Sequence, residues 1–267
     1  MWFANNHGYH RHAHSNRTMP DHRRHRGPHP QDHHLFSPDQ IPTLQNALAD
    51  FSLLLTRRYA TPSAIKLVGD RYSLTERQRT AVTRASCSDA ALSNRKKSEL
   101  PLSAIANQPL LIDGYNILTT LETALSGGPI LSCRDGCFRD MAGIHGTYRR
   151  VEETIPALHL LADFLNTTQS GPITILLDAP VSNSGRLKAL IHDANQNWKI
   201  DLVPDPDPLL SASPDIIITA DSVILDACAR WTNLARALIS ARIPDAWIAD
   251  LSPTPITDAA QPPAAPQ

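Results

Sequence analysis

The 267-residue chain has no apolar run long enough to span a bilayer, which takes roughly 18 or more such residues. Its first twenty residues lack an apolar segment, so a secretory signal is not expected; Arg-containing and acid-poor, they leave an organelle transit peptide as a minor alternative. No G-x-x-x-x-G-K-S/T occurs, so a Walker-type nucleotide site is unsupported, and no G-x-G-x-x-G follows a strand pattern. No G-x-S-x-G elbow is present for acyl transfer. Aromatic residues make up only 5%, so aliphatic packing must dominate the core. Four cysteines (Cys87, Cys133, Cys137, Cys228) are too few for a disulfide scaffold in a chain of this length and read as reduced thiols in a cytoplasmic protein. Cys133 and Cys137 with His145 could be a fragment of a zinc site, but no fourth ligand is evident and small buried thiols are the plainer reading.

A net charge of −1 conceals an asymmetry. Residues 1–100 hold 15 Lys+Arg against 8 Asp+Glu, and residues 101–267 hold 10 against 18. A basic front can attract a polyanion while an acidic back concentrates carboxylates; two solvated surfaces are the alternative. Residues 1–40 carry nine of the twelve histidines without apolar periodicity and read as a disordered arm. Residues 42–100 read as a basic helical region. "TLQNALADFSLLLTRRY" has helical apolar spacing, Pro62 suits a first turn, and Thr75 suits an N-cap. Arg77, Arg84 and the Arg95–Lys97 run could form a basic face. "ELPLSAIANQP" reads as a linker, and residues 252–267 as a disordered Pro/Ala-rich tail.

Residues 108–250 alternate apolar runs with helical patterns, which predicts an α/β domain with a mostly parallel sheet between helical layers. The runs are "PLLID", "PITILLD", "WKIDLVP" and "DIIITAD", with "AWIADL" as a weak fifth. Three of them end in an aspartate: Asp113, Asp178 and Asp221. In an open parallel sheet, ligands sit outside the carboxyl ends of the strands, so all three project toward one rim. Gathered carboxylates repel and raise one another's pKa unless a cation is present. The expectation is a shared site for a hard divalent ion, magnesium or manganese. The alternative is that each is a helix N-cap, above all Asp221. Asp226 lies more than a helical turn beyond Asp221, and the "PDPDP" holding Asp205 and Asp207 reads as a loop.

Asn116 could hold a phosphate, a water or the Asp113 carboxylate, or be a turn residue. Ser184 and Arg186, in "SNSGRLKAL", are candidates for an anion site at a helix start, with a simple cap as the alternative. Arg149 and Arg150 could meet phosphates, and Glu153 or Glu152 could complete the metal shell; intrahelical ion pairs are the alternative. An aspartyl-nucleophile phosphatase would want a second Asp two residues after Asp113, where Tyr115 stands.

"LLIDGYNIL", "TILLDAP" and "IITADSVIL" resemble, in that order, the acidic strands of the PIN-like nuclease superfamily and its NYN branch. "LTERQRTAVTRASCSDAAL", "GIHGTYRRVEET" and "LDAPVSNSGRL" resemble, over residues 55–240, the domain of unknown function family 434, which joins a helical region to a PIN-like domain. The resemblance implies a three-layer PIN-like fold, metal contacts at Asp113, Asp178 and Asp221, and a fourth acid from a central helix. Glu153 and Glu152 are candidates for that acid, with Asp140 behind them. The function expected is a metal-dependent phosphodiesterase acting on RNA. The alternative is a catalytically degenerate nucleic-acid-binding or adaptor protein, and a small-molecule phosphohydrolase is a weaker third. No membrane partner is expected, and a homo-oligomer is compatible with the sequence.

Overall fold

A computed structural model describes residues 24–142 and 148–252. Eleven α-helices and seven strands occur among them. The front is helical: α1 (Asp32–Leu35), α2 (Ile41–Thr56), α3 (Thr61–Arg71), α4 (Glu76–Ala85) and α5 (Asp89–Ser98). Pro62 lies in the first turn of α3. Thr75 caps α4 in a reciprocal box with Gln78, satisfying two otherwise orphaned N–H groups. The linker contains a 3-10 turn at Leu102–Ile105. The remainder runs β1 (Leu110–Asp113), α6 (Gly114–Leu125), β2 (Ile130–Ser132), β3 (Phe138–Asp140), α7 (Thr154–Thr167), β4 (Ile173–Asp178) and α8 (Ser184–Ala194). It continues through β5 (Lys199–Val203), α9 (Asp207–Ala212), β6 (Ile216–Ile218), α10 (Ser222–Ala227), α11 (Leu234–Arg242) and β7 (Ile248–Asp250).

The main sheet is fully parallel in the order β5-β4-β1-β6. Its central strands are apolar on both faces, as a sheet covered by helices on each side requires. Leu110, Ile112, Ile175, Leu177, Ile216 and Ile218 face one core, shared with α6, α7, α8 and α11. Leu111, Leu176 and Ile217 face a second core with Leu210 of α9 and Ile224 of α10. This is a three-layer α/β arrangement. From β1 the chain turns toward β4 and β5, then returns to place β6 on the other side of β1. The helices after β1 and β6 leave on opposite faces, which opens a crevice at the strand ends.

The anticipated fifth strand forms, but in another sheet. β7 pairs with β2, which pairs antiparallel with β3. Leu131, Cys133, Ala249 and Leu251 of this small sheet pack against Leu44, Leu48, Phe51, Val68 and Val82. The helical front is therefore docked on the small sheet through a continuous apolar core. Several expectations change accordingly. The stretch from Ser222 to Ser240 forms two helices, α10 and α11, parted where Trp231 is fully buried and its indole N–H donates to Arg95 O at 2.8 Å. The "PDPDP" segment is not all loop, because Asp207 begins α9. The arm is ordered over residues 24–40: Leu35 and Phe36 are buried, and Asp32 accepts from Arg77 Nη2 at 2.7 Å. Arg26 is buried too and donates to the buried Glu122, which also accepts from Tyr148 and Thr154. Residues 1–23 and 253–267, expected to be disordered, lie outside the described residues.

Gly114 sets how closely α6 approaches the sheet. A Cβ there would meet Leu177 Cδ2 at 2.6 Å, Ile175 Cγ2 at 2.8 Å and Leu176 O at 2.9 Å. Gly114→Ala is expected to cost about 1–3 kcal/mol through overpacking. A lowered urea midpoint with an unchanged slope would report this, and an unchanged midpoint would contradict it.

Candidate functional site

Asp113, Asp178 and Asp221 line one cavity of about 410 Å³ at the carboxyl ends of β1, β4 and β6. Asp140, Asp207, Tyr115, Asn116, Arg84 and Arg139 share it. Asp113 is the last residue of β1 and the N-cap of α6: its Oδ1 accepts from Asn116 N at 3.2 Å. Its Oδ2 accepts from Thr219 Oγ1 at 2.9 Å. Asp221 caps α10, accepting from Val223 N at 2.7 Å and Ile224 N at 3.4 Å. The N-cap reading thus holds for both residues, together with their convergence on the cavity. Asp178 is half-buried and ends β4.

Two side chains lock the crevice. Asn116 Oδ1 accepts from Ala220 N at 2.8 Å, which joins the turn after β1 to the turn after β6. Thr219 donates to Asp113 and accepts from Asp221 N at 3.0 Å. Asn116 Oδ1 is thus engaged by neighbouring backbone, while the residue also lines the cavity. β6 ends at Ile218, three residues before Asp221, because Thr219 and Ala220 leave the ladder to make these bonds. Thr219 had only a faint sequence signal, its place two residues before Asp221.

Beneath the crevice lies a buried charge network. Asp135 accepts from Arg95 Nη1 at 2.6 Å and from Arg139 Nη2 at 2.6 Å. Arg139 Nε donates to Ala220 O at 2.7 Å, and Arg95 Nη2 to Ser222 O at 3.2 Å. The carbonyls on either side of Asp221 are thus held by arginines from two different parts of the chain. Burial pushes the Asp135 pKa up, but Arg139 and Arg95 outweigh it and hold it at about 2. Arg95 is therefore spent inside the protein, not on a basic face; Arg77 pairs with Asp32, and Arg84 donates to Asp140 O at 2.8 Å and Ala142 O at 3.0 Å.

Of the three candidates for a fourth acid, only Asp140 lines the cavity. Glu153 is the N-cap of α7 and pairs with His25 at 2.7 Å; Glu152 pairs with Arg24 at 2.9 Å. Neither lines the cavity. α7 begins beside Glu122, nine residues beyond Asp113 along α6 and so about 13 Å away at 1.5 Å per residue. Asp140 and Asp207 stand in the cavity instead. Asp140 accepts from Thr120 Oγ1 at 2.9 Å and Ala142 N at 2.7 Å. Arg149, Arg150 and Arg186 gather in a separate pocket, and the Ser184 hydroxyl donates to Ala179 O at 3.3 Å. Cys87, Cys133, Cys137 and Cys228 are buried free thiols, which matches the plainer reading. His145 of the zinc alternative lies outside the described residues.

The cavity's electrostatics fit a cation. Burial, with Asp221 and Asp178 adding to it, raises the Asp113 pKa to about 7, against the hydrogen bonds from Thr219 and Asn116. Burial also raises Asp178, with Asp205 contributing, and Asp207, with Asp221 contributing. Tyr115, 5% exposed, has a hydroxyl with no hydrogen-bond partner among the described residues, and burial and Asp178 push its pKa up to about 12. The donors are all oxygen, the set preferred by magnesium and manganese. Among the described residues, no three His, Cys, Asp or Glu side chains form a ready-made ligand cluster. Magnesium does not require one, since it keeps several waters and binds through one or two carboxylates.

These features define a three-layer α/β protein with a carboxylate-lined cavity at the switch point of its parallel sheet. The chain belongs to the family described as Domain of unknown function (DUF5616), whose model matches residues 102–237. Residues 43–97 match the model described as Protein of unknown function (DUF434), so that resemblance covers the helical front alone and not residues 55–240. An uncharacterized protein of Methanocaldococcus jannaschii, MJ0935, is 29% identical over 187 residues, covering 68% of this chain and 89% of its own. No solved structure matches. Among the described residues, no helix is long and apolar enough to cross a membrane.

Two outcomes test the electrostatics. A carboxyl raised from 3.8 to about 7 on folding binds more protons in the native state, so its share of stability is present below about pH 4 and is lost as pH rises to about 7. Asp113→Asn, which keeps a capping oxygen, should therefore melt higher than wild type at pH 8 without divalent ions and lose that advantage at pH 4. Identical melting at both pH values would contradict the shift. Asp135→Asn should cost about 3–5 kcal/mol in chemical denaturation by leaving two buried guanidinium groups unpaired; a loss under about 1 kcal/mol, the size of a surface pair, would contradict that role.

Proposed function

We propose that the protein is a metal-dependent phosphodiesterase acting on RNA, with PIN-like chemistry at the cavity between β1, β4 and β6. The observation that carries this reading is the convergence of Asp113, Asp178 and Asp221 on one cavity, with burial and the two neighbouring carboxylates raising the Asp113 pKa to about 7. The likeness of "LLIDGYNIL", "TILLDAP" and "IITADSVIL" to the acidic strands of PIN-like nucleases supports it. Asp113, Asp178 and Asp221 would hold magnesium or manganese, with Asp140 and Asp207 in reserve. A bound ion would lower the pKa of an attacking water and offset charge on the phosphate. The chain supplies the rest. Thr219 and Asn116 hold Asp113 in place, and the Arg139–Asp135–Arg95 network fixes the turn carrying Asp221. The partnerless Tyr115 hydroxyl is a donor for a ligand oxygen near Asp178.

A second reading is a nucleic-acid-binding or adaptor protein on the same fold without catalysis. It is favoured by the capping roles that already occupy Asp113 and Asp221. Pure protein incubated with mixed RNA and manganese separates the two. Cleavage that Asp113→Asn lowers by at least about a hundredfold, with RNA binding kept, is the expected result. Equal cleavage by both proteins would end the catalytic reading. Magnesium or manganese should also raise the melting temperature of wild type and leave Asp178→Asn unmoved; a flat wild-type response favours the second reading.

A further inference from the structure

A strand that puts a phosphodiester in the acidic cavity must also place the bases on either side of it. Among the described residues, six large apolar side chains are exposed. Val223 is the most exposed of them, at 68%, and it alone of the six lines the acidic cavity. The other apolar residues of the lining offer less surface. Tyr115 and Pro206 are buried, and Ala142 and Ala220 are small.

The fold does not account for an apolar side chain at this position. Ile224 and Leu225, the next two residues, are buried and pin α10 to the sheet, whereas Val223 adds nothing to that core. A β-branched residue in an exposed helical turn loses χ1 freedom without gaining contacts. A local preference broken with no structural gain is expected at functional sites. The backbone that carries Val223 is fixed relative to the carboxylates. Its N–H donates to Asp221 Oδ1 at 2.7 Å, and Arg95 Nη2 holds the preceding carbonyl, Ser222 O, at 3.2 Å. A solvent-facing aliphatic surface is thus presented two residues from a carboxylate of the cavity. Such a surface gains by being covered. The flat face of any base can cover it, and an isopropyl group has no hydrogen bond with which to read a base edge.

We propose that Val223 receives the nucleobase next to the phosphodiester that enters the acidic cavity, as a contact that senses a base without reading its identity. The inference rests on the RNA substrate proposed above and adds the subsite that holds one of its bases. The full chain, with calcium in place of magnesium, is titrated into fluorescent RNA hexamers, one intact and the others each carrying a single abasic ribose. Anisotropy is read. One abasic position should weaken wild-type binding by about fivefold. Val223→Ser should weaken the intact hexamer by about the same factor and lose nothing further at that position, while Val223→Leu binds as wild type does. Exchanging the base at that position should change binding by less than about twofold. Three results overturn the proposal: a Val223→Ser protein that melts like wild type and binds the intact hexamer as tightly, one that weakens the intact and every abasic hexamer equally, or wild type that binds no RNA. Cleavage in magnesium without this coupling counts against the base subsite alone; coupling without cleavage counts against the nuclease reading alone.

Discussion

The site depends on keeping like charges together at the ends of parallel strands. Asp113, Asp178 and Asp221 would separate if their turns were free, since carboxylates in a poorly solvated recess repel. Hydrogen bonds hold Asp113 and the turn that carries Asp221. Asn116 reaches from α6 to Ala220 N, and Thr219 bridges Asp113 to the backbone of Asp221. The Asn116–Ala220 and Thr219–Asp113 bonds cross from the turn after β1 to the turn after β6, so Asp113 and Asp221 cannot part without breaking both. Gly114 permits this by letting α6 start against Leu177 and Ile175.

A second layer of support is charged. Asp135 joins Arg139 of the small sheet to Arg95 of the helical front, and both arginines grip carbonyls flanking Asp221. The helical front is therefore a structural part of the site. Replacing one partner in such a buried network strands the others, which is why its cost exceeds that of a surface pair. The basic character of residues 57–97 is partly consumed here and in the pair of Arg77 with Asp32. Arg149, Arg150 and Arg186 line a pocket separate from the acidic cavity.

Much of this was legible in the sequence, for identifiable reasons. The central strands are apolar on both faces, so continuous runs ending in Asp marked β1 and β4 to their last residue. Parallel topology brought the strand ends of Asp113 and Asp178 to one rim, whereas Asp221, three residues beyond β6, is placed there by the turn that Asn116 and Thr219 hold. β2 and β3 went unseen because three-residue strands carry no periodicity. α9 was hidden by Pro206 and Pro208, which suit a helix start as well as a loop. Arg95 resembled a solvated charge because Asp135, its partner, lies forty residues away and only the fold brings them together. Glu153 was preferred to Asp140 because the resemblance calls for an acid from a central helix; the β2–β3 hairpin, not α7, delivers an acid to the cavity.

The central claim is that the cavity between β1, β4 and β6 is built for a hard divalent cation. Crystals grown with manganese, with anomalous scattering recorded at the manganese edge, test it most directly. The account predicts a peak within coordinating reach of Asp113 and at least one of Asp178 and Asp221. Manganese peaks elsewhere in the same map, beside His25 and Glu153 for example, with none in this cavity would contradict it.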